Sequence, residues 1–244
     1  MKLVASSSPI LPPTALPATT LAERVYAQIK QLIFDFVLLP GDRFSESDLA
    51  NQVQVSRTPL RQALQRLQRE GFLLVFPKSG WQVAPLDFDA FDQLYDLRIL
   101  LETHAVARLC EAEVRPVLDE LAAVWLIPPG ERAQAFLTVD RLDEAFHAAL
   151  VRATGNDEMT RVHADITERI RIIRRLDFTK PQRVEATYNE HATILRAITR
   201  RRADEAQRLL RAHIEHSKLE VRRITIETLY HARQRLAEVR EQPG

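Results

Sequence analysis

The sequence is poor in cysteine and glycine and lacks long apolar runs, and each absence excludes a class of protein. One cysteine among 244 residues, Cys110, excludes an internal disulfide and any zinc motif built from several cysteines. Only 6 glycines argue against a turn-rich all-β fold and against a glycine-rich phosphate loop. No apolar run approaches the ~20 residues that span a bilayer, and the first residues lack the apolar stretch of a secretory signal. A cytoplasmic location is therefore expected.

The composition is typical of a soluble globular protein, with 45% hydrophobic and 27% charged residues. The length suits one large domain or two modest ones. A formal net charge of +1 neither requires nor excludes a nucleic-acid partner, so the local distribution of charge has to decide.

Local patterns predict a winged helix-turn-helix DNA-binding domain over 21–86, preceded by a flexible, proline-containing tail over 1–20. Thr20 and Glu23 have the spacing of a capping box at the start of a first helix. Two strands around a turn complete the order helix, helix, helix and hairpin. The helices are expected to begin at Thr20, Ser45 and Ser56, and the strands at Leu73 and Trp81.

From residue 87 to about 240 the sequence predicts helices alone. Apolar residues recur at three-to-four spacing, and no convincing strand pattern is present. The expected fold class is therefore mainly α, with an antiparallel helical bundle following the winged helix. The predicted helices span 88–113, 116–127, 132–153, 157–177, 181–200 and 203–238.

The last helix of the helix-turn-helix has a basic surface suited to DNA. Its run 56–69 contains four arginines and no acidic residue. Arg57 and Arg61 share a helix face, and a guanidinium matches the O6 and N7 atoms of guanine. Ser56 and Thr58 are placed to bind phosphates at the helix N-terminus. The alternative is an ordinary amphipathic helix with a solvated basic face. A second set of DNA contacts, in the adjacent minor groove, is expected at Lys78, Ser79 and Gly80.

Four residues of the bundle have the spacing of a metal site. Asp143 and His147 are four apart, so both side chains project from one helix face, next to its apolar stripe. His191 lies 11 residues before Arg202 and His213 lies 11 after it. In an antiparallel hairpin centred near Arg202, these two histidines stand at the same height. Nitrogen and oxygen ligands favour zinc, with nickel, manganese or iron as alternatives.

Each histidine also has a plainer explanation, because a lone histidine on an apolar face is more often a hydrogen-bonded core residue. His163, eight residues after Gly155, is a further candidate at a comparable height. It only borders the apolar stripe of its helix, so it is left out of the ligand set.

An almost continuous series of motifs over 21–86 resembles the GntR family of bacterial transcription regulators. The resemblance implies base contacts by Arg57 and Arg61. Phosphate contacts are implied for Ser56 and Thr58. Many relatives carry an arginine where this chain has Ser47, which implies a changed DNA contact. The matching residues are Pro40 to Glu46, Leu49-Ala50, Val55 to Leu64, Leu67, Glu70-Gly71 and Gly80.

The region 88–225 resembles the FCD domain of the FadR subgroup. Its matching motifs are Tyr95-x-x-Arg98-x-x-x-Glu102, Asp143-x-x-Phe146-His147, Gly155-Asn156, Glu190-His191 and His213-Ile214. A small organic acid is implied to complete the coordination of a metal, and a homodimer is implied to bind a near-palindromic operator. Arg98 and, as a weaker candidate, Asn156 would bind the acid; an ion pair with Glu102 is the alternative for Arg98. The implied metal ligands are Asp143, His147, His191 and His213.

The sequence therefore predicts a metabolite-responsive DNA-binding transcriptional regulator, with a repressor favoured and no enzymatic activity. The region 87–240 would bind the effector and dimerise. Two alternatives stay open: a metal-dependent hydrolase that uses the same ligands, and a helical adaptor whose histidines are structural. Against the hydrolase, the sequence offers no clear additional buried carboxylate as a general base.

Overall fold

A computed structural model describes residues 20–77, 79–113, 115–132, 136–174, 176, 178 and 181–241. The chain divides into two compact units, with the boundary between Pro85 and Leu86. Among the described residues, the first unit combines helices with a small sheet and the second consists of helices. The tail predicted over 1–20 lies outside the described residues, apart from Thr20.

The helices of the first unit begin at the capping residues that the sequence predicts. The Thr20 hydroxyl accepts a hydrogen bond from the Glu23 amide, and the Glu23 carboxylate accepts one from the Thr20 amide. The Ser45 hydroxyl accepts from the Asp48 amide in the same way. The tight turn before the last helix contains Gln54 in the left-handed conformation, with φ of 56°. The three helices are α1 (Leu21–Phe34), α2 (Glu46–Val53) and α3 (Arg57–Arg69).

An apolar core joins α1 to α3. Each helix turns one stripe inward because its apolar residues recur at three-to-four spacing. The side chains that are almost completely buried are Val25, Ile29 and Ile33 of α1 and Leu60, Leu64 and Leu67 of α3. This packing leaves the opposite face of α3, with its arginines, exposed.

The wing is a three-stranded antiparallel sheet in the order β1–β3–β2. Its strands are β1 (Arg43–Phe44), β2 (Leu73–Phe76) and β3 (Gly80–Val83). The hairpin of β2 and β3 was predicted, but β1 was not, because two residues are too few to show an alternating pattern. Gly80 has a φ of 92°, and a Cβ there would lie 2.5 Å from the Phe44 carbonyl oxygen. Pairing with β1 therefore requires glycine at this position.

The second unit is a helical bundle in which α4 packs against α6, α7, α8 and α9. The prediction of a mainly α fold is confirmed. The predicted helix over 132–153 begins too early at its first residue, because Arg132 is extended, with ψ of 138°, after a 3₁₀ turn at Pro129–Glu131; residues 133–135 lie outside the described residues. No helix of the described residues is at once long and apolar enough for a membrane span. The helices are α4 (Phe88–Glu111), α5 (Val117–Trp125), α6 (Phe136–Arg152), α7 (Asp157–Arg174), α8 (Pro181–Thr199) and α9 (Ala203–Glu241).

Candidate functional site

Four polar side chains from three helices meet in the core of the bundle. All are at most 5% exposed. His213 Nε2 lies 3.2 Å from His147 Nε2 and 3.2 Å from His191 Nε2. Asp143 Oδ1 lies 3.5 Å from His147 Nε2 and 3.3 Å from His191 Nε2. One ligand atom from each residue lies within 4.8 Å of the others. We call Asp143, His147, His191 and His213 the buried cluster.

Helix geometry explains why these residues converge. Asp143 and His147 are one turn apart on α6 and project to one side. The helices α8 and α9 form an antiparallel hairpin around Arg201, which has a φ of 58°. His191 and His213 each lie about three helical turns from that bend and so reach the same height. The structure thus brings together the set that the spacing predicts.

Carboxylates orient two of the three imidazole rings. His147 Nδ1 lies 2.5 Å from Glu102 Oε2 on α4, and His213 Nδ1 lies 2.6 Å from Glu190 Oε2 on α8. In a neutral imidazole, the nitrogen facing the carboxylate carries the hydrogen, so each Nε2 keeps a lone pair directed at the cluster. Metal-bound histidines typically have such carboxylate partners.

The third ring is held by stacking. The imidazole of His191 is parallel to the Phe146 ring, with centroids 3.7 Å apart, and meets the Trp125 ring edge-on at 4.2 Å. Its Nδ1 is buried with no hydrogen-bond partner among the described residues. Burial lowers the pKa of His191 well below its ordinary value, so the ring is neutral at neutral pH.

Two buried arginines balance the buried carboxylates. Burial opposes ionisation of Asp143, but the adjacent Arg174 guanidinium holds the pKa of that carboxyl well below its ordinary value. Arg174 Nη2 donates to Asp143 Oδ2. Burial also opposes ionisation of Glu102, whose pKa is nevertheless held well below its usual range, mainly by Arg98. Both carboxylates are therefore charged, as an ion pair and a metal ligand require.

The atoms at the centre of the cluster can all serve as metal ligands. The rings of His147 and His213 are oriented to present an Nε2 lone pair, and Asp143 Oδ1 has no hydrogen-bond partner among the described residues. A buried carboxylate oxygen without a partner is costly, and a bound cation would satisfy it. Ligands held tetrahedrally at about 2.0–2.1 Å from zinc stand about 3.4 Å apart, close to the separations found here. The residues therefore fit a divalent cation.

The two residues predicted to bind an effector occupy different surroundings. Arg98 is buried, and its Nε donates to Glu102 Oε1 at 2.7 Å, which is the ion pair considered as its alternative. Its Nη1 has no partner among the described residues. Asn156 is exposed at the start of α7, where its Oδ1 accepts from the Met159 amide. No described contact joins Asn156 to the cluster, so its effector role stays a prediction.

Two exposed arginines of α3 contact α2. Arg57 Nη2 donates to Ser47 Oγ at 3.0 Å. Arg61 forms a two-pronged ion pair with Glu46, with Nη2 2.8 Å and Nε 3.2 Å from its oxygens. The hydrogen bond from Arg61 lowers the pKa of Glu46. Ser47, where many relatives carry arginine, therefore accepts a hydrogen bond from a candidate base-contacting residue.

The remaining predicted DNA contacts lie at the start of α3 and in the wing. Ser56 and Thr58 are exposed, and the Ser56 side chain makes no capping hydrogen bond. Ser79 is exposed and Gly80 is half-buried. Lys78 lies outside the described residues.

Sequence reasoning missed part of the surroundings of the cluster. Glu102 is the additional buried carboxylate that the sequence did not offer beside the ligands. Its oxygens already accept hydrogen bonds from Arg98, His147 and His163, so they are occupied. His163 is thus a buried partner of Glu102 and not a member of the cluster. Arg174 carried no signal, because it lies among other basic residues, far from Asp143 in sequence.

Both units match known protein families. The family described as bacterial regulatory proteins, gntR family, matches residues 21–83, and the FCD domain matches residues 93–216. The Nta operon transcriptional regulator of Aminobacter aminovorans is 35% identical over 179 residues, which cover 72% of this chain and 82% of that protein. The chain is a GntR-family transcriptional regulator. It is a DNA-binding protein with an FCD domain, which implies a small-molecule effector, and it is not an enzyme.

Two further comparisons extend over most of this GntR regulator. The HTH-type transcriptional repressor GlaR of Escherichia coli (strain K12) is 24% identical over 198 residues, covering 78% of the chain and 90% of the relative. The solved structure of Lar, described as controlling the expression of the Listeria monocytogenes agr system, has a TM-score of 0.63. Its identity is 20%, with 85% of this chain and 99% of that chain covered, so the likeness is one of fold.

Proposed function

We propose that this GntR regulator is a repressor whose FCD domain holds a divalent metal ion, with zinc favoured over nickel, manganese and iron. The supporting observation is the convergence of three imidazole nitrogens and one unpaired carboxylate oxygen within 4.8 Å. A bound ion would supply a Lewis acid that attracts an anionic group of the effector. Its ligands would be Asp143, His147, His191 and His213.

The proposed effector is a small carboxylic acid that completes the coordination. A carboxylate can bind both a divalent ion such as zinc and a guanidinium. Arg98, with its unpaired Nη1, is the proposed partner of the acid, and Asn156 is a weaker candidate. The acid would act only through different affinities for two states of the protein.

The proposed operator contacts are those of a winged helix-turn-helix. The N-terminal part of α3 would enter the major groove, with Arg57 and Arg61 contacting bases and Ser56 and Thr58 holding phosphates. To reach a base, each arginine has to leave or share its contact on α2. The wing would contact the minor groove through Lys78, Ser79 and Gly80.

The regulator is proposed to bind its operator as a homodimer. Both α4 and α9 carry large apolar side chains in contact with solvent, with Leu100 64% exposed and Leu219 69% exposed. These two helices also pack against each other. We propose that their exposed apolar side chains form the dimer interface, since apolar surface patches are typical of protein interfaces. A two-fold dimer matches a near-palindromic operator.

Operator binding tests the proposal directly. A DNA site is first selected from random sequence with the purified full-length protein. Fluorescence anisotropy then measures its affinity with zinc, with chelator, and with a panel of small carboxylic acids. We expect one class of acid to weaken binding only when zinc is present. The control variant is Arg211→Ala, which removes an exposed charge of α9. An acid effect that persists unchanged in chelator would contradict the role of the metal.

Metal analysis tests the site separately. Protein purified without chelator is expected to contain about one divalent ion per chain. Absence of any bound ion, together with no zinc binding in dialysis, would contradict the proposed metal centre.

A further inference from the structure

Buried polar atoms without a partner collect on the side of the cluster formed by α4 and α7. Arg98 and Arg174 are each 1% exposed. Buried guanidinium groups ordinarily have their N–H groups bonded, because an unpaired one has lost its water without replacement. On α4 and α7, four such atoms lack a partner among the described residues: Arg98 Nη1, Arg174 Nε, Arg174 Nη1 and Thr167 Oγ1.

One guanidinium contacts a carboxylate of the cluster directly, and the other contacts a carboxylate that orients one of its histidines. Arg174 donates to Asp143 Oδ2, and the other oxygen of that carboxylate belongs to the cluster. Arg98 donates to Glu102 Oε1, and Glu102 Oε2 orients a histidine of the cluster. The Arg98 guanidinium also lies 5.7 Å from the centre of the Tyr95 ring. Both arginines thus border the cluster from its α4 and α7 side.

The buried charges around the cluster cancel before an ion is added. Arg98 pairs with Glu102, and Arg174 pairs with Asp143. A divalent ion then adds two positive charges. Glu190, whose side chain is 28% exposed, already pairs with the buried Arg183, so it offsets little of that charge. Because uncompensated buried charge is costly, the electrostatics favour a dianion over a monoanion.

From this geometry we infer that the effector is a small dicarboxylate. One carboxylate group binds at the ion and the second pairs with the free N–H groups of Arg98 and Arg174. The inference rests on the proposed metal site and names the class of its effector. Arg174 becomes a specificity-determining residue, since a monocarboxylate leaves its N–H groups unpaired. A charged hydrogen bond contributes enough for a preference of about tenfold or more.

Matched acids of equal chain length test the inference. Calorimetric titration of the zinc-loaded full-length protein compares malonate with propionate and succinate with butyrate. We expect at least one diacid to bind about tenfold or more tightly than its monoacid. Zinc content is measured before and after each titration, because diacids also bind free zinc. Equal affinities within both pairs, or a preference for the monoacids, would overturn the inference.

Substitutions locate the second carboxylate. Arg174→Gln is expected to remove most of the preference for the diacid, and Thr167→Val and Arg98→Gln test the same space independently. The control Arg171→Gln removes a neighbouring arginine of α7 that pairs with Glu144 outside the cluster. If Arg174→Gln fails to fold, the acid pairs on the unmodified protein still decide the question. A diacid preference that survives in all three variants would overturn the assignment.

The failure of this inference is distinguishable from failure of the metal site. Protein that binds no zinc overturns the proposed metal centre. Protein that binds zinc but treats monoacids and diacids alike overturns only the dicarboxylate assignment, and ordered water then accounts for the unpaired N–H groups.

Discussion

Zinc is expected to stabilise the FCD domain, and His191→Ala is expected to abolish that effect. The cluster brings three Nε2 atoms and Asp143 Oδ1 together in the core, with His213 Nε2 3.2 Å from each of the other two rings, so a bound ion would give the unpaired Asp143 Oδ1 and the imidazole nitrogens a common partner. With free zinc about a thousandfold above its dissociation constant, binding to the folded state adds about 4 kcal/mol. For a domain of this size, each kcal/mol raises the melting temperature by about 2–4 °C. The expected shift is therefore about 8–16 °C.

His191→Ala also destabilises the fold by a route that does not involve zinc, and the assay has to separate this loss from the loss of metal binding. Removing the His191 ring deletes its stacking on Phe146 and its contact with Trp125, and large-to-small core substitutions cost about 2–5 kcal/mol. Differential scanning calorimetry measures the melting temperature of each protein in zinc and in chelator. The difference between the two conditions excludes the packing loss, because that loss is present in both. The control His104→Ala removes an exposed histidine of α4 and should keep the full shift.

Two results would refute the reasoning. A zinc shift of unchanged size in His191→Ala would remove this residue from the site. A shift below about 2 °C in the unmodified protein, at saturating zinc, would contradict stabilisation of the cluster by a bound ion.

Other consequences can be checked with simple measurements. Arg57→Ala and Arg61→Ala are each expected to weaken operator binding by about 1–3 kcal/mol in titrations at fixed salt; unchanged affinity would exclude them as base contacts. Operator affinity should fall steeply as salt is raised, and a flat response would contradict phosphate contacts. Gly80→Ala should lower the melting temperature of the N-terminal unit, because its Cβ would lie 2.5 Å from the Phe44 carbonyl oxygen; an equal melting temperature would disprove this close approach. In chelator, unfolding free energy should decrease as the pH falls below about 6.5, because burial lowers the pKa of His191 and the unfolded chain binds the extra proton; constant stability down to about pH 5 would argue against it.

Periodicity and hairpin geometry made the cluster predictable. The one-turn spacing of Asp143 and His147 fixes a shared face on any helix, so the pair needed no tertiary information. The match of His191 and His213 needed only the assumption of an antiparallel hairpin with its bend near residue 202. Both inferences depend on local geometry, which sequence constrains strongly.

The groups around the cluster depend on packing between distant helices. Arg174 reaches Asp143 only because α7 packs on α6, and no spacing in the sequence encodes that contact. His163 borders the stripe of its own helix but becomes buried because α4 supplies Glu102 as a partner. The short strand β1 was missed for another reason, since it is specified by its pairing with β3 and not by its own two residues.

With an ion bound, the cluster fastens three helices at one point, in a chain whose single cysteine leaves it no disulfide. The segment between Asp143 and His213 spans 70 residues, and a covalent bridge over such a loop contributes about 4 kcal/mol by constraining the unfolded chain. A bridge through a bound metal ion differs, because it is reversible and depends on the supply of metal. The stability of this domain would therefore depend on the free metal concentration around the protein, whereas stability from a disulfide would depend on the redox potential.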